Sequence, residues 1–168
     1  MSTIFQPNGG ATQLISNSKT LSANNTTANV GLFSFTGVIQ VLRLYGIVTT
    51  AIGANHTTAY FNLYDQTSRT AITLATGSVL SAFAVGSFVG KFGLAAAAAN
   101  VKNAATALIT EPTTLETLDF SPFTLIAKNT ATSEIDYTYS TTDTPTTGAI
   151  QFFLEWQPQS ASAGVVAL

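Results

Sequence analysis

The sequence contains no cysteine, a single histidine at position 56 and few charged side chains. The absence of cysteine excludes disulfide bonds, a thiol nucleophile and a cysteine-ligated zinc site. A lone histidine cannot form a histidine-rich metal centre of the kind that some β-sheet scaffolds carry. The sequence therefore predicts neither a metal ion nor a cofactor.

The shortage of charge excludes further classes of protein. Six lysines and arginines and eight aspartates and glutamates make up 8% of the 168 residues, against roughly 25% in an ordinary soluble domain. Six scattered bases cannot neutralise a phosphate backbone, so we expect no nucleic-acid partner. Intrinsic disorder is also disfavoured, because 46% of the chain is apolar and the net charge is only −2.

Hydroxyl side chains supply the missing polarity, since 28 threonines and 14 serines make up a quarter of the chain. The long run at 38–50 is apolar on both faces and rich in β-branched residues, which is typical of a central strand of a sandwich. Further strands are predicted at 33–35, 59–65, 71–74 and 87–94. The sequence thus predicts an all-β protein, an antiparallel β-sandwich resembling a jelly roll.

The clearest alternation of apolar and polar residues lies near the end of the sequence. Strands are predicted at 134–140 and 149–157, and the turn-forming run TTDTPTTG between them predicts a β-hairpin. In the second strand Ile150, Phe152, Leu154 and Trp156 share one face, so we expect Trp156 in the core.

Three segments fall outside this pattern. Residues 1–29 are predicted to form an extended N-terminal arm or a loosely packed edge, ahead of a single sandwich domain at 30–168. The only plausible helix is at 95–108, where a loop is the alternative. The most hydrophobic stretch, 79–99, contains Lys91 and several glycines, which favours strands and turns over a membrane span.

Candidate catalytic groups are sparse, and we predict that the protein is not an enzyme. His56 lies in the loop-like string GANHTT without a nucleophile signature, so we interpret it as a solvated loop histidine. Glu134 and Asp136 share a strand face and could lie at the separation of glycosidase carboxylates. That face is opposite the apolar set Ile135, Tyr137 and Tyr139, which favours a solvated outer surface without catalytic function.

Two candidate binding features remain. Ile4 and Phe5, with Gln6 and Pro7, form a possible assembly contact at the tip of the arm. Tyr60, Asn62 and Tyr64 share a strand face and could form a platform for a glycan.

The charges also divide unevenly along the chain. Residues 1–102 carry +4 and residues 103–168 carry −6. Two interpretations follow, internal balance between the halves or basic surface docking on acidic surface of a neighbouring subunit.

Several strings resemble the small structural proteins of tailed bacteriophage particles, in particular head decoration or accessory capsid proteins with a jelly-roll body. These strings are LRLYGIVTTAI, AYFNLYDQTS, AVGSFVGKF and GAIQFFLEWQPQS. The resemblance covers roughly residues 33–158, the span expected of such a sandwich. It is carried by pattern and composition and assigns no individual contact residue.

The resemblance implies a capsid decoration protein on the virion surface. Its partners would be the major capsid protein and copies of itself, with a trimer favoured, and a docked shell would be stabilised. A tail or neck component, or a glycan-binding β-sandwich module on a virion or cell surface, are the alternatives. No membrane partner is expected.

Overall fold

The computed structural model describes residues 11–22, 26–54, 56–73, 80–91, 100–102, 122–128, 132–142 and 147–168. Within these residues the chain forms eleven β-strands and no helix. The strands make two antiparallel sheets, which we call sheet A and sheet B. The prediction of an all-β sandwich is confirmed.

Sheet A has the long strand β3 near its centre. β3 pairs with β10 on one side, and on the other side with β6 towards its end and β8 at its start. β1 lies outside β10, and β7 lies outside β6. The six strands are β1 (Gln13–Thr20), β3 (Val38–Thr50), β6 (Phe88–Gly90), β7 (Asn100–Lys102), β8 (Phe123–Ile126) and β10 (Ala149–Pro158).

Sheet B has β9 at its centre, between β2 and β4, with β11 and β5 at the two edges. The five strands are β2 (Thr27–Thr36), β4 (His56–Tyr64), β5 (Arg69–Ala71), β9 (Ser133–Thr141) and β11 (Gly164–Ala167). β9 is buried along almost its whole length, on both faces, as its central position requires.

The connections give the jelly-roll arrangement. β1, β3, β6 and β10 lie in sheet A, whereas β2, β4, β5 and β9 lie in sheet B, so that most successive strands change sheet. The predicted hairpin of β9 and β10 is therefore wrong. Both strands exist, but β9 pairs with β2 and β4 while β10 pairs with β1 and β3. The two strands thus lie in different sheets.

The region predicted as an arm belongs in part to the sandwich. Residues 13–20 form edge strand β1, which pairs with β10 along its whole length, and residues 27–29 begin β2. This corresponds more closely to the edge than to the extended arm. Within the predicted helix at 95–108, residues 100–102 form strand β7, and the remainder lies outside the described residues.

Aromatic rings from both sheets fill the core. Phe152 of sheet A packs against Tyr137 of sheet B with ring centroids 4.9 Å apart, and against Phe61 at 6.1 Å. Gly46 lies directly opposite Phe152, and a Cβ there would lie 2.9 Å from the ring and 2.6 Å from Ile150. The missing side chain leaves room for the ring. Trp156 is buried, as predicted.

Candidate functional site

The predicted glycan platform lies on the outer face of sheet B, but its polar group is already engaged. The Asn62 side chain is buried, and its amide donates a 2.6 Å hydrogen bond to the hydroxyl of Thr138. That hydroxyl donates in turn to Asn29 Oδ1, also at 2.6 Å. Tyr60 and Tyr64 are half-buried, and the Arg69 guanidinium lies 4.1 Å from the centroid of the Tyr64 ring. A cation–π contact thus occupies one face of the Tyr64 ring.

The carboxylates Glu134 and Asp136 are on this outer face, as predicted, but the expectation of solvation is wrong for Asp136. Its side chain is 1% exposed and forms an ion pair with Arg69, with Nε and Oδ2 separated by 2.7 Å. The error arises because β9 is the central strand of sheet B, where the Arg69 side chain of the edge strand β5 reaches Asp136. Burial raises the pKa of Asp136, and the hydrogen bond and charge of Arg69 act in the opposite direction.

Both carboxylates direct one oxygen towards Gly31 on β2. A Cβ on Gly31 would lie 3.3 Å from Glu134 Oε2 and 3.8 Å from Asp136 Oδ1. It would also lie 2.9 Å from a methyl group of Leu168. We call this space the Gly31 depression. Asp136 Oδ1 is buried without a hydrogen-bond partner in the structure, whereas Glu134 Oε1 accepts from the amide of Gln66 at 2.8 Å.

His56 is not the solvated loop residue that was predicted. It begins β4, is fully buried and stacks on Tyr139 with ring centroids 5.3 Å apart. Neither ring nitrogen has a hydrogen-bond partner in the described part of the chain, and the hydroxyl of Thr141, opposite His56 in the register, also lacks one. Burial lowers the pKa of His56 to about 4. The histidine is therefore neutral near pH 7.

The outer face of sheet A differs in kind. Three half-buried rings form a ladder across neighbouring strands, with Tyr45 between Phe153 and Phe88. The centroid distances are 5.0 and 5.7 Å and the ring planes differ by 17° and 16°. Nearly parallel rings this close are offset-stacked, so that they cover one another's faces. The ladder covers part of the outer face of sheet A with aromatic rings.

Two exposed apolar residues also lie on the outer face of sheet A. Leu14, opposite Glu155 in the register, is 65% exposed, and Ile126, at the end of β8, is 67% exposed. Glu155 forms a 3.4 Å ion pair with Arg43 on the same face, and the Arg43 side chain is 57% exposed. Sequence reasoning placed Phe153 on the outward face but missed the ladder, because finding it requires the register between β3, β6 and β10.

The charges of the two halves of the sequence pair within the chain. Arg43 with Glu155 and Arg69 with Asp136 each join an early base to a late acid. The third pair, Lys128 with Asp65 at 3.5 Å, joins a late base to an early acid. Two backbone amides, of Ser68 and then Thr67, lower the pKa of Asp65 to about 2, with Lys128 contributing. These six residues follow the internal-balance interpretation.

The possible assembly contact, Ile4, Phe5, Gln6 and Pro7, lies outside the described residues. No group of three or more metal-ligating histidine, cysteine, aspartate or glutamate side chains occurs in the ranges that the structure covers. Within the same ranges no helix is long and apolar enough to cross a membrane.

Comparison with known proteins adds no assignment: no family model, no curated protein and no solved structure matches this chain.

Proposed function

We propose that the protein is a non-enzymatic structural component of a virion, a decoration protein that binds the major capsid lattice through the outer face of sheet A. The observation that carries the proposal is the aromatic ladder on that face, together with two largely exposed aliphatic side chains. Leu14 lies on the strand next to Phe153, and Ile126 lies opposite Val38 at the start of β3. The resemblance of the sequence to phage head proteins supplies the choice of partner.

The composition of this face suits contact with a protein better than exposure to solvent. Interface cores are depleted of charge and enriched in aromatic residues, and this face combines an aromatic ladder with one exposed ion pair. A shell lattice offers many copies of the same site, so that self-associated copies of the protein would bind it with avidity even where each contact is weak.

The outer face of sheet B is the poorer candidate. Its polar groups hydrogen-bond to one another, as in the chain from Asn62 through Thr138 to Asn29. Binding a glycan through the Tyr60, Asn62 and Tyr64 set would require breaking these bonds, which disfavours the glycan-binding alternative.

A co-sedimentation experiment tests the proposal. Particles lacking the protein are purified from a phage with its gene deleted, and are mixed with purified protein. We expect saturable binding to heads, weakened at least about tenfold by Leu14→Lys or Ile126→Lys, because a buried lysine would lose its hydration.

The matched control is Val166→Lys. Val166 is 63% exposed, like the two test positions, but it pairs with Ser34 on the outer side of sheet B. It should bind as the wild type does. Equal loss of binding in all three variants would contradict the assignment to sheet A, and binding to tails but not to heads would contradict decoration.

A further inference from the structure

The Gly31 depression on the outer face of sheet B is shaped by two carboxylates that are each held in place by one oxygen. Glu134 Oε1 accepts from Gln66, and Asp136 Oδ2 accepts from Arg69. The second oxygen of each carboxylate is directed at the space over Gly31, where only a methyl group of Leu168 lies closer to the Cβ position. Two anionic oxygens thus converge on one point.

An independent observation indicates that something is missing from this point. Asp136 Oδ1 is buried and has no hydrogen-bond partner in the structure. An unpaired buried carboxylate oxygen is costly, and native proteins satisfy such groups with a donor, a water molecule or an ion. The atom that instead lies nearest to the Gly31 Cβ position is a methyl carbon of Leu168, which can donate nothing.

We infer that the Gly31 depression binds a calcium ion through Glu134 and Asp136. Calcium is a hard cation that takes carboxylate and amide oxygens in flexible geometry and completes its shell with water. Magnesium demands a tighter octahedral arrangement and keeps its waters, so it suits this open site less well. The inference does not depend on the proposed docking of sheet A.

The structure also bears on the strength of binding. Only two carboxylates contribute, and one of them is shared with Arg69. Calcium affinity follows the number of charged ligands, so we expect a dissociation constant on the order of 1 mM. Leu168 is 47% exposed, and its hydrogen bonds to Asn17, Lys19 and Leu32 are made by its main chain, so its side chain can move aside without breaking them.

The test is calorimetric titration of the full chain with calcium chloride alone, together with thermal melting. We expect saturable binding and a rise in Tm of about 3 °C at ten times the dissociation constant. Magnesium chloride at the same concentration controls for ionic strength and should give a much smaller shift.

Three variants define the site. Glu134→Gln keeps the side-chain shape and should reduce calcium affinity at least about tenfold. Glu155→Gln removes a comparable acid from sheet A and should leave calcium binding unchanged. Leu168→Ala should bind calcium more tightly, because it uncovers Asp136 Oδ1. No saturable heat with the wild type, an equal shift with magnesium, or unchanged binding in Glu134→Gln would each overturn the inference.

Discussion

The two sheets of this sandwich place their polar atoms differently. Sheet A lines the core with aliphatic and aromatic side chains and carries an aromatic ladder outside. Sheet B buries polar atoms on both of its faces, with His56, Tyr137 and Thr141 inside and Asp136 and Thr138 outside.

This difference between the sheets indicates which outer face is available to a partner. On sheet B the outer polar groups are committed to one another, and Asp136 is covered despite its charge. On sheet A the outer surface carries the aromatic ladder and two exposed aliphatic side chains, and its Arg43–Glu155 ion pair is partly exposed. The scarcity of charged residues therefore does not make the whole surface suited to binding a partner. It leaves one outer face suited to being covered by a protein, and the other with most of its polar groups hydrogen-bonded within the chain.

The largest expected effect is a loss of stability on acidification, caused by the buried His56 on the inner face of sheet B. The pKa of His56 is lowered from 6.5 to about 4, so the unfolded chain binds the proton more readily between these values. The contribution of His56 to the free energy of unfolding is therefore fully present above pH 6.5. This contribution, roughly 3 kcal/mol, is lost as the pH falls to about 4.

The measurement is urea unfolding at several pH values, with His56→Phe as the control. Phenylalanine keeps a ring against Tyr139 without a titrating group, and the Asp65 carboxyl, with its pKa of about 2, titrates below this range. Equal slopes for wild type and variant between pH 6.5 and 4 would show that His56 is not the cause.

A second prediction compares the ion pairs on the two outer faces. Arg69→Met leaves the buried Asp136 without its cation and should lower the free energy of unfolding by about 2 kcal/mol, below the usual range for a buried pair because the Arg69 side chain is 38% exposed. Arg43→Met removes the partner of Glu155 on exposed surface and should cost no more than about 0.5 kcal/mol. Denaturant unfolding at pH 7 measures both, and equal costs would refute the contrast between the faces.

The third prediction compares two buried tyrosine hydroxyls in the core, whose removal should change the free energy of unfolding in opposite directions. The Tyr137 hydroxyl is buried without a hydrogen-bond partner in the structure, so Tyr137→Phe should stabilise the protein by up to about 1 kcal/mol. Tyr139 is the matched case, since its hydroxyl accepts from the backbone amide of Ser22 at 3.0 Å. Tyr139→Phe should destabilise by about 1 kcal/mol. Thermal melts that move both variants in one direction would contradict this account of sheet B.

The fold was predictable where a single strand carries its own signal. Residues 38–50 form β3 with the predicted bounds, because a long run rich in β-branched residues indicates a strand without knowledge of its neighbours. Pairing was not predictable in the same way. The alternation in β9 and β10 is equally compatible with a hairpin and with strands of two sheets, since both outcomes leave one face towards the core.

The candidate sites show the same limit. Asp136 lies on the predicted face, but its ion pair with Arg69 depends on the register that places β9, β4 and β5 side by side. His56 follows loop-like residues, yet β4 begins at position 56, three residues earlier than predicted, and its ring enters the core. The Tyr45, Phe88 and Phe153 ladder joins three strands distant in sequence and has no local signature.

The most direct test of the docking assignment is a cryo-electron microscopy map of the native particle in which this protein can be placed. The account predicts that the protein lies on the head, with the outer face of sheet A, including Leu14 and Ile126, against the shell. A map that places the outer face of sheet B against the shell, or the protein only in the tail, would contradict it.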